Sequence, residues 1–107
     1  MLELTFDDGP SEWTPAILDL LAAHGRKATF FVIGSQIEGR EGILLRADYE
    51  GHAIANHSWS HPKLTSPDMT HNRIWAELKM TSTAIEAVTG TWPRAWRAAR
   101  PRRGTLR

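Results

Sequence analysis

The chain is 107 residues long, 41% hydrophobic and 23% charged, with no cysteine and a formal net charge of +1. That length suits one domain with a single modest core, and the composition is that of a folded globular protein, not a disordered one. Without cysteine there are no disulfides or thiolate metal sites, so His, Asp and Glu are the strong ligands available. No apolar run approaches the ~20 residues that a membrane span needs.

The first expected element is a strand over "LELTF", ending where Asp7 and Asp8 stand side by side before Gly9 and Pro10. A helix follows in "PSEWTPAILDLLAAHG", with Ser11 or Thr14 as cap, Pro15 in the first turn, an apolar face of Ile17, Leu20 and Leu21, and Gly25 as terminator. "KATFFVIG" is a near-continuous apolar run closed by Gly34, the pattern of a strand buried on both faces of a parallel sheet. Ser35 to Gly51 is weakly helical and interrupted by Gly39 and Gly42, and "HAIAN" is a third, shorter strand. From Pro67 to Gly90, the spacing of Ile74, Leu78, Ile85 and Val88 predicts one helix face, stopped by Gly90. Strands alternating with helices point to right-handed βαβ units in a parallel sheet or barrel, whose sites gather at the carboxyl ends of the strands.

The near-neutral net charge conceals a split. Residues 94–107 hold six arginines (Arg94, Arg97, Arg100, Arg102, Arg103, Arg107) and no acid, so the rest of the chain is net acidic. Such an end is either a solvated basic tail or a contact for nucleic acid or another anionic surface. The amino terminus "MLELTFDD" lacks the basic flank, apolar stretch and cleavage site of a secretory signal. The chain as given would stay cytoplasmic, but its location is left open, since an export signal could lie outside these residues.

Two carboxylates at a strand end repel unless something offsets them. Asp7 and Asp8 close the first strand and "NHSWSHP", Asn56 to Pro62, closes the third, so both open onto one face of a parallel sheet. His57 and His61 are four apart, so one helical turn would bring both imidazoles to one side, where they could hold a cation at about 2.0–2.1 Å. A carboxylate from the neighbouring strand end would complete three ligands. If Asp8 takes the cation, Asp7 is left beside it to accept the proton of a bound water as general base. For both to reach one site the backbone must turn at once, a role assigned to Gly9 and Pro10. Taken singly, an Asp-Asp-Gly-Pro surface turn and a pair of surface histidines are the plainer readings, and their coincidence at adjacent strand ends is what favours a site. A two-His-one-carboxylate set also serves non-haem iron oxygenases, but the ligand order and the Asp-Asp pair argue against that. His24, His52 and His71 are read as structural. Among the five tryptophans, Trp59 and Trp13 are placed beside a groove where they could stack on sugar rings, and Trp75 is assigned to packing.

"TFDDGPS" (Thr5 to Ser11) and "HSWSHP" (His57 to Pro62) closely resemble the first two motifs of the polysaccharide deacetylase family, the NodB homology domain of carbohydrate esterase family four. "TPAILDLLAAHGRKATFFVIG" and "EGHAIANHSWSHP" are similar to that family's first helix, second strand and third strand. The resemblance implies an α/β fold made of the βαβ units of a distorted (β/α) barrel. It also implies a metal-dependent hydrolase removing N- or O-acetyl groups from a glycan such as chitin, peptidoglycan or acetylxylan. Asp7 would match the general base, Asp8, His57 and His61 the ligands of a divalent cation, usually zinc or cobalt, and Ser58 the hydroxyl residue that braces the histidine turn. "ARPRRG" is similar to the third motif, with Arg100 matching the residue that pairs with the base aspartate and the Arg103 backbone N–H an oxyanion donor. Arg102 and Arg103 replace the proline and aromatic residue of that motif.

The family's fourth and fifth motifs, the latter carrying the histidine that acts as general acid, have no counterpart in these 107 residues. The expectation is therefore a partial deacetylase domain over residues 1–107, truncated after the third motif, with an open sheet edge and at best weak turnover. A non-catalytic metal-binding fragment is the second reading. A nucleic-acid binder acting through residues 94–107 is a distant third.

Overall fold

The computed structural model describes residues 4–60 and 70–93. Strands β1 (Leu4–Gly9), β2 (Ala28–Val32) and β3 (Ala53–Asn56) form one parallel sheet in the order β1-β2-β3. Helix α1 (Thr14–Ala23) links the first two strands. A 3₁₀ turn (Gly34–Gln36) and helix α2 (Glu41–Tyr49) link the second and third, and helix α3 (His71–Thr89) follows. The alternation expected from the sequence is thus present as two consecutive βαβ units. None of the described helices is long and apolar enough to cross a membrane.

The middle strand organises the core. Ala28, Phe30 and Val32 of β2 pack with Leu18 and Leu21 of α1, Ile37, Leu44 and Ala47 around α2, and Ile85 of α3. Phe31 is also buried, and as neighbours on a strand point to opposite sides, its ring lies on the other face, edge-on to His57 with centroids 6.5 Å apart. A strand covered on both faces tolerates little polar alternation, which is why "ATFFV" is a near-continuous apolar run in which Thr29 is the one polar residue.

Several local details differ from the sequence reading. Neither Ser11 nor Thr14 caps α1: the cap position is Trp13, without a side-chain cap bond, while the Ser11 amide donates to Thr14 Oγ1 at 2.9 Å in the turn before the helix. The inward face of α1 is Thr14, Leu18 and Leu21 with Ile17 at its margin, and Leu20 is 61% exposed. Ile17, Leu20, Leu21 and Thr14, Leu18, Leu21 both satisfy helical spacing, and the rotation of α1 against β2 decides between them. Trp75 is 65% exposed rather than packed. At the start of α3, Thr70 Oγ1 accepts from the Arg73 amide, and at its end Gly90 closes the helix at φ 81°, a left-handed conformation that favours glycine. Residues 67–69, the expected start of that helix, lie outside the described residues.

His52, expected to be structural, holds two strands together. Its Nδ1 accepts the Ala28 amide at 3.0 Å and its ring meets Phe30 edge-on. Burial, reinforced by the Lys27 charge, pushes this imidazole below its usual range.

Candidate functional site

The first strand does not stop before its aspartates but runs through them. Asp7 pairs with Phe31 and Gly9 with Val32, so Asp8 is the extra residue of a bulge in the ladder. The change of direction occurs at Asp8 itself, at φ 71°. Gly9 was expected to supply it, but Gly9 is not among the positive-φ glycines, and a cis bond joins it to Pro10. Aspartate is one of the few side chains that tolerates the left-handed region. The bulge re-aims its carboxylate out of the two-fold alternation of the strand.

At the end of β3 the chain continues as a bent loop over residues 57–60. This corrects the helical turn expected there, because Ser58 has φ 72°. Every backbone amide of this loop has an identified acceptor. His57 donates to Val32 O (2.8 Å), Ser58 to Asn56 Oδ1 (2.7 Å), and Trp59 and Ser60 both to Glu77 Oε1 (2.9 and 2.7 Å). The loop's carbonyls are used as well, Ser58 O accepting from Gly34 N and Trp59 O from Ser35 N, each at 2.9 Å. Asn56 ties the base of the loop to α3, its Nδ2 donating to Leu78 O and Ser82 Oγ at 2.8 Å. The bracing expected of Ser58 therefore involves its main chain, in a left-handed turn fixed by Asn56.

These two strand ends meet. His57, 1% exposed, directs Nε2 at Asp8 Oδ1 across 3.0 Å. The buried imidazole is held from behind by its loop and by Phe31, while the Asp8 carboxylate is more than half exposed. A 3.0 Å gap is a hydrogen bond, and it is also close to the separation, about 3.3 Å, of two donors that share one tetrahedral ion at about 2.0–2.1 Å. The donor set therefore fits a small divalent cation entering from the open side. Among the described residues no three His, Asp or Glu side chains converge closely enough to hold a metal. His61, the expected third ligand, lies outside the described residues, as do Arg100 and Arg103. Asp7, the expected base, is exposed at the position before the bulge, at the same strand end.

Trp59 is half-buried, with its ring over Gly34: a Cβ built on Gly34 would meet Trp59 Cε3 at 2.3 Å and Thr81 Oγ1 at 2.6 Å. Glycine is required there for the 3₁₀ turn to approach the loop. Trp59 also joins Trp75, Lys79 and Met80 in lining an open groove of about 580 Å³. Trp13, the other proposed groove residue, is 68% exposed. The residues that sequence reasoning passed over are Asn56, Glu77 and Gly34. Asn56 stood within the quoted motif, and Gly34 was read only as a strand terminator.

The polysaccharide deacetylase family model matches residues 1–105 of this chain. The chain belongs to the polysaccharide deacetylase family. Among the relatives is the peptidoglycan-N-acetylglucosamine deacetylase PgdA of Listeria monocytogenes, 41% identical over 97 residues, a match that takes in 90% of this chain and 20% of that protein. Chitin deacetylase 1 of Cryptococcus neoformans is 42% identical over 94 residues, 88% of this chain and 20% of its own length. Of the solved structures, the peptidoglycan deacetylase PdaC of Bacillus subtilis superposes with a TM-score of 0.86 at 39% identity, covering 91% of this chain and 47% of that one. A family 4 acetyl xylan esterase from Clostridium thermocellum, solved in complex with a cobalt ion, gives 0.83 at 35%, over 91% and 47% of the two chains. The three-stranded sheet with its helices thus matches part of the deacetylase fold. The chain spans about a fifth of the curated relatives' length and less than half of the solved chains.

Proposed function

We propose that this chain carries the metal-and-base side of a deacetylase active site, acting on acetyl groups of a polysaccharide of the chitin, peptidoglycan or acetylxylan type. The observation that carries this reading is the approach of His57 Nε2 to Asp8 Oδ1 at 3.0 Å across the carboxyl ends of β3 and β1, in a chain of the polysaccharide deacetylase family. Asp8, His57 and His61 would hold the divalent ion, with zinc the first choice and cobalt an alternative. When bound, that ion would supply Lewis acidity towards the acetyl carbonyl and a water.

The protein's own groups do the rest. Asp7 accepts the proton of the attacking water, from a position one residue before the ligand aspartate. Arg100 would pair with Asp7, and the Arg103 amide would donate to the oxygen on which charge develops. Trp59 offers an apolar ring to the sugar, and Gly9, Pro10 and Ser58 support the two turns. The names of the relatives support a glycan substrate, since they act on peptidoglycan and chitin.

The test is acetate release from chitin oligomers, peptidoglycan and acetylxylan in the presence of zinc or cobalt. Asp7→Asn should lower turnover by a factor of about 10²–10⁴ with metal still bound, whereas Asp8→Asn should lose metal and turnover together. Metal binding without acetate release from any of the three glycans would instead favour the non-catalytic reading.

A further inference from the structure

The mechanism does not use Glu77. Glu77 lies in the middle of α3, far in sequence from the motif, yet three donors of the loop after His57 converge on it. Oε1 accepts the Trp59 and Ser60 amides at 2.9 and 2.7 Å, and Oε2 accepts Ser60 Oγ at 2.8 Å. The main chain of Glu77 is held within α3, where its carbonyl accepts from Oγ1 of the completely buried Thr81 at 2.9 Å. The opposite side of the loop is gripped by Gly34 N and Ser35 N through the carbonyls of Ser58 and Trp59.

We infer that Glu77 is a positioning residue for the candidate metal site, setting the path of the loop from His57 through Ser60, the residue from which the chain continues to His61. The inference rests on the metal reading of Asp8 and His57 given above. Two successive amides pointing the same way form a small anion-binding concavity, and a carboxylate seated in it makes charge-assisted bonds stronger than neutral ones. In their absence, the amides of residues 59 and 60 would turn to water and the left-handed turn at Ser58 would lose its downstream anchor. Groups that orient metal ligands from behind typically change metal affinity by about 10–100-fold when removed, and Glu77 holds the segment that begins at His57.

The experiment compares the wild-type chain with Glu77→Ala, Glu77→Gln and, as a control for lost packing in the same helix, Ile85→Val. Zinc affinity is measured by calorimetric titration, and amide hydrogen exchange is followed at Trp59 and Ser60. Glu77→Ala should weaken zinc binding at least about tenfold and speed exchange at both amides. Glu77→Gln, which keeps an acceptor for the two N–H groups, should retain affinity within a few fold, and Ile85→Val should leave it unchanged. Wild-type affinity in Glu77→Ala would overturn the inference. So would Trp59 and Ser60 amides that exchange in the wild-type protein as fast as in a free peptide, a reading independent of whether any variant folds. A wild-type chain that binds no zinc but still shows slow exchange at both amides would overturn the metal reading and leave Glu77 as a loop anchor only.

Discussion

Asp8 combines two roles. Its main chain, at φ 71°, makes the bulge that bends β1, and its carboxylate is the partner of His57. The expected turn residue, Gly9, was the more obvious reading because glycine is the usual occupant of left-handed backbone. Aspartate's tolerance of the same region is weaker and is masked by the glycine next to it. A second residue-scale demand falls on Gly34, where any side chain would collide with Trp59 and Thr81. Gly34→Ala should cost about 1–3 kcal/mol by overpacking, read from urea unfolding, and should shift the fluorescence of Trp59. An unchanged midpoint and spectrum would mean that the loop and the 3₁₀ turn do not touch as described.

The strands and the long helix were legible at the level of elements because their signals are local. β2 is a continuous apolar run, and α3 carries its stop at Gly90. What could not be read was rotation and partnership: which side of α1 faces inward, or that Glu77 serves residues 59 and 60, since both depend on how elements meet. His52 belongs to this scale too, as it joins β2 to the start of β3 through the Ala28 amide. Its imidazole titrates lower in the folded state, chiefly through burial. The unfolded chain therefore takes up the proton first, and the contribution of His52 to stability is complete above about pH 6.5 and is lost as the pH falls below it. Protonation at Nδ1 would also remove the acceptor of the Ala28 amide. The drop in urea midpoint between about pH 7.5 and about pH 5.5 should be smaller in His52→Gln than in the wild type. An equal drop would remove His52 as its source.

At the scale of the whole molecule, the site lies where two βαβ units open onto a common edge, and residues some fifty positions apart meet there only because β1 and β3 run parallel on either side of β2. Among the described residues β2 alone is paired on both sides. Its amides should be the slowest to exchange, with those of β3 that point away from β2 exchanging much faster. Equal protection of those β3 amides would show that a further strand covers that edge. The motifs were legible because catalytic chemistry fixes residue types at fixed spacing. The match of this chain to less than half of each solved relative agrees with the absence of the family's fourth and fifth motifs from these residues, although local patterning alone could not show it, because a partial parallel sheet has the same local pattern as the start of a complete one.

The central claim, that Asp8 and His57 are two ligands of one divalent cation, is tested most directly by titrating cobalt(II) into the purified chain and following its visible absorption. One ion per chain should bind with the spectrum of a nitrogen- and oxygen-coordinated site. Asp7→Asn should bind like the wild type, and His57→Ala and Asp8→Asn should each lose about 10²-fold or more in affinity. Equal binding by His57→Ala and the wild type, or no binding by either, would contradict it.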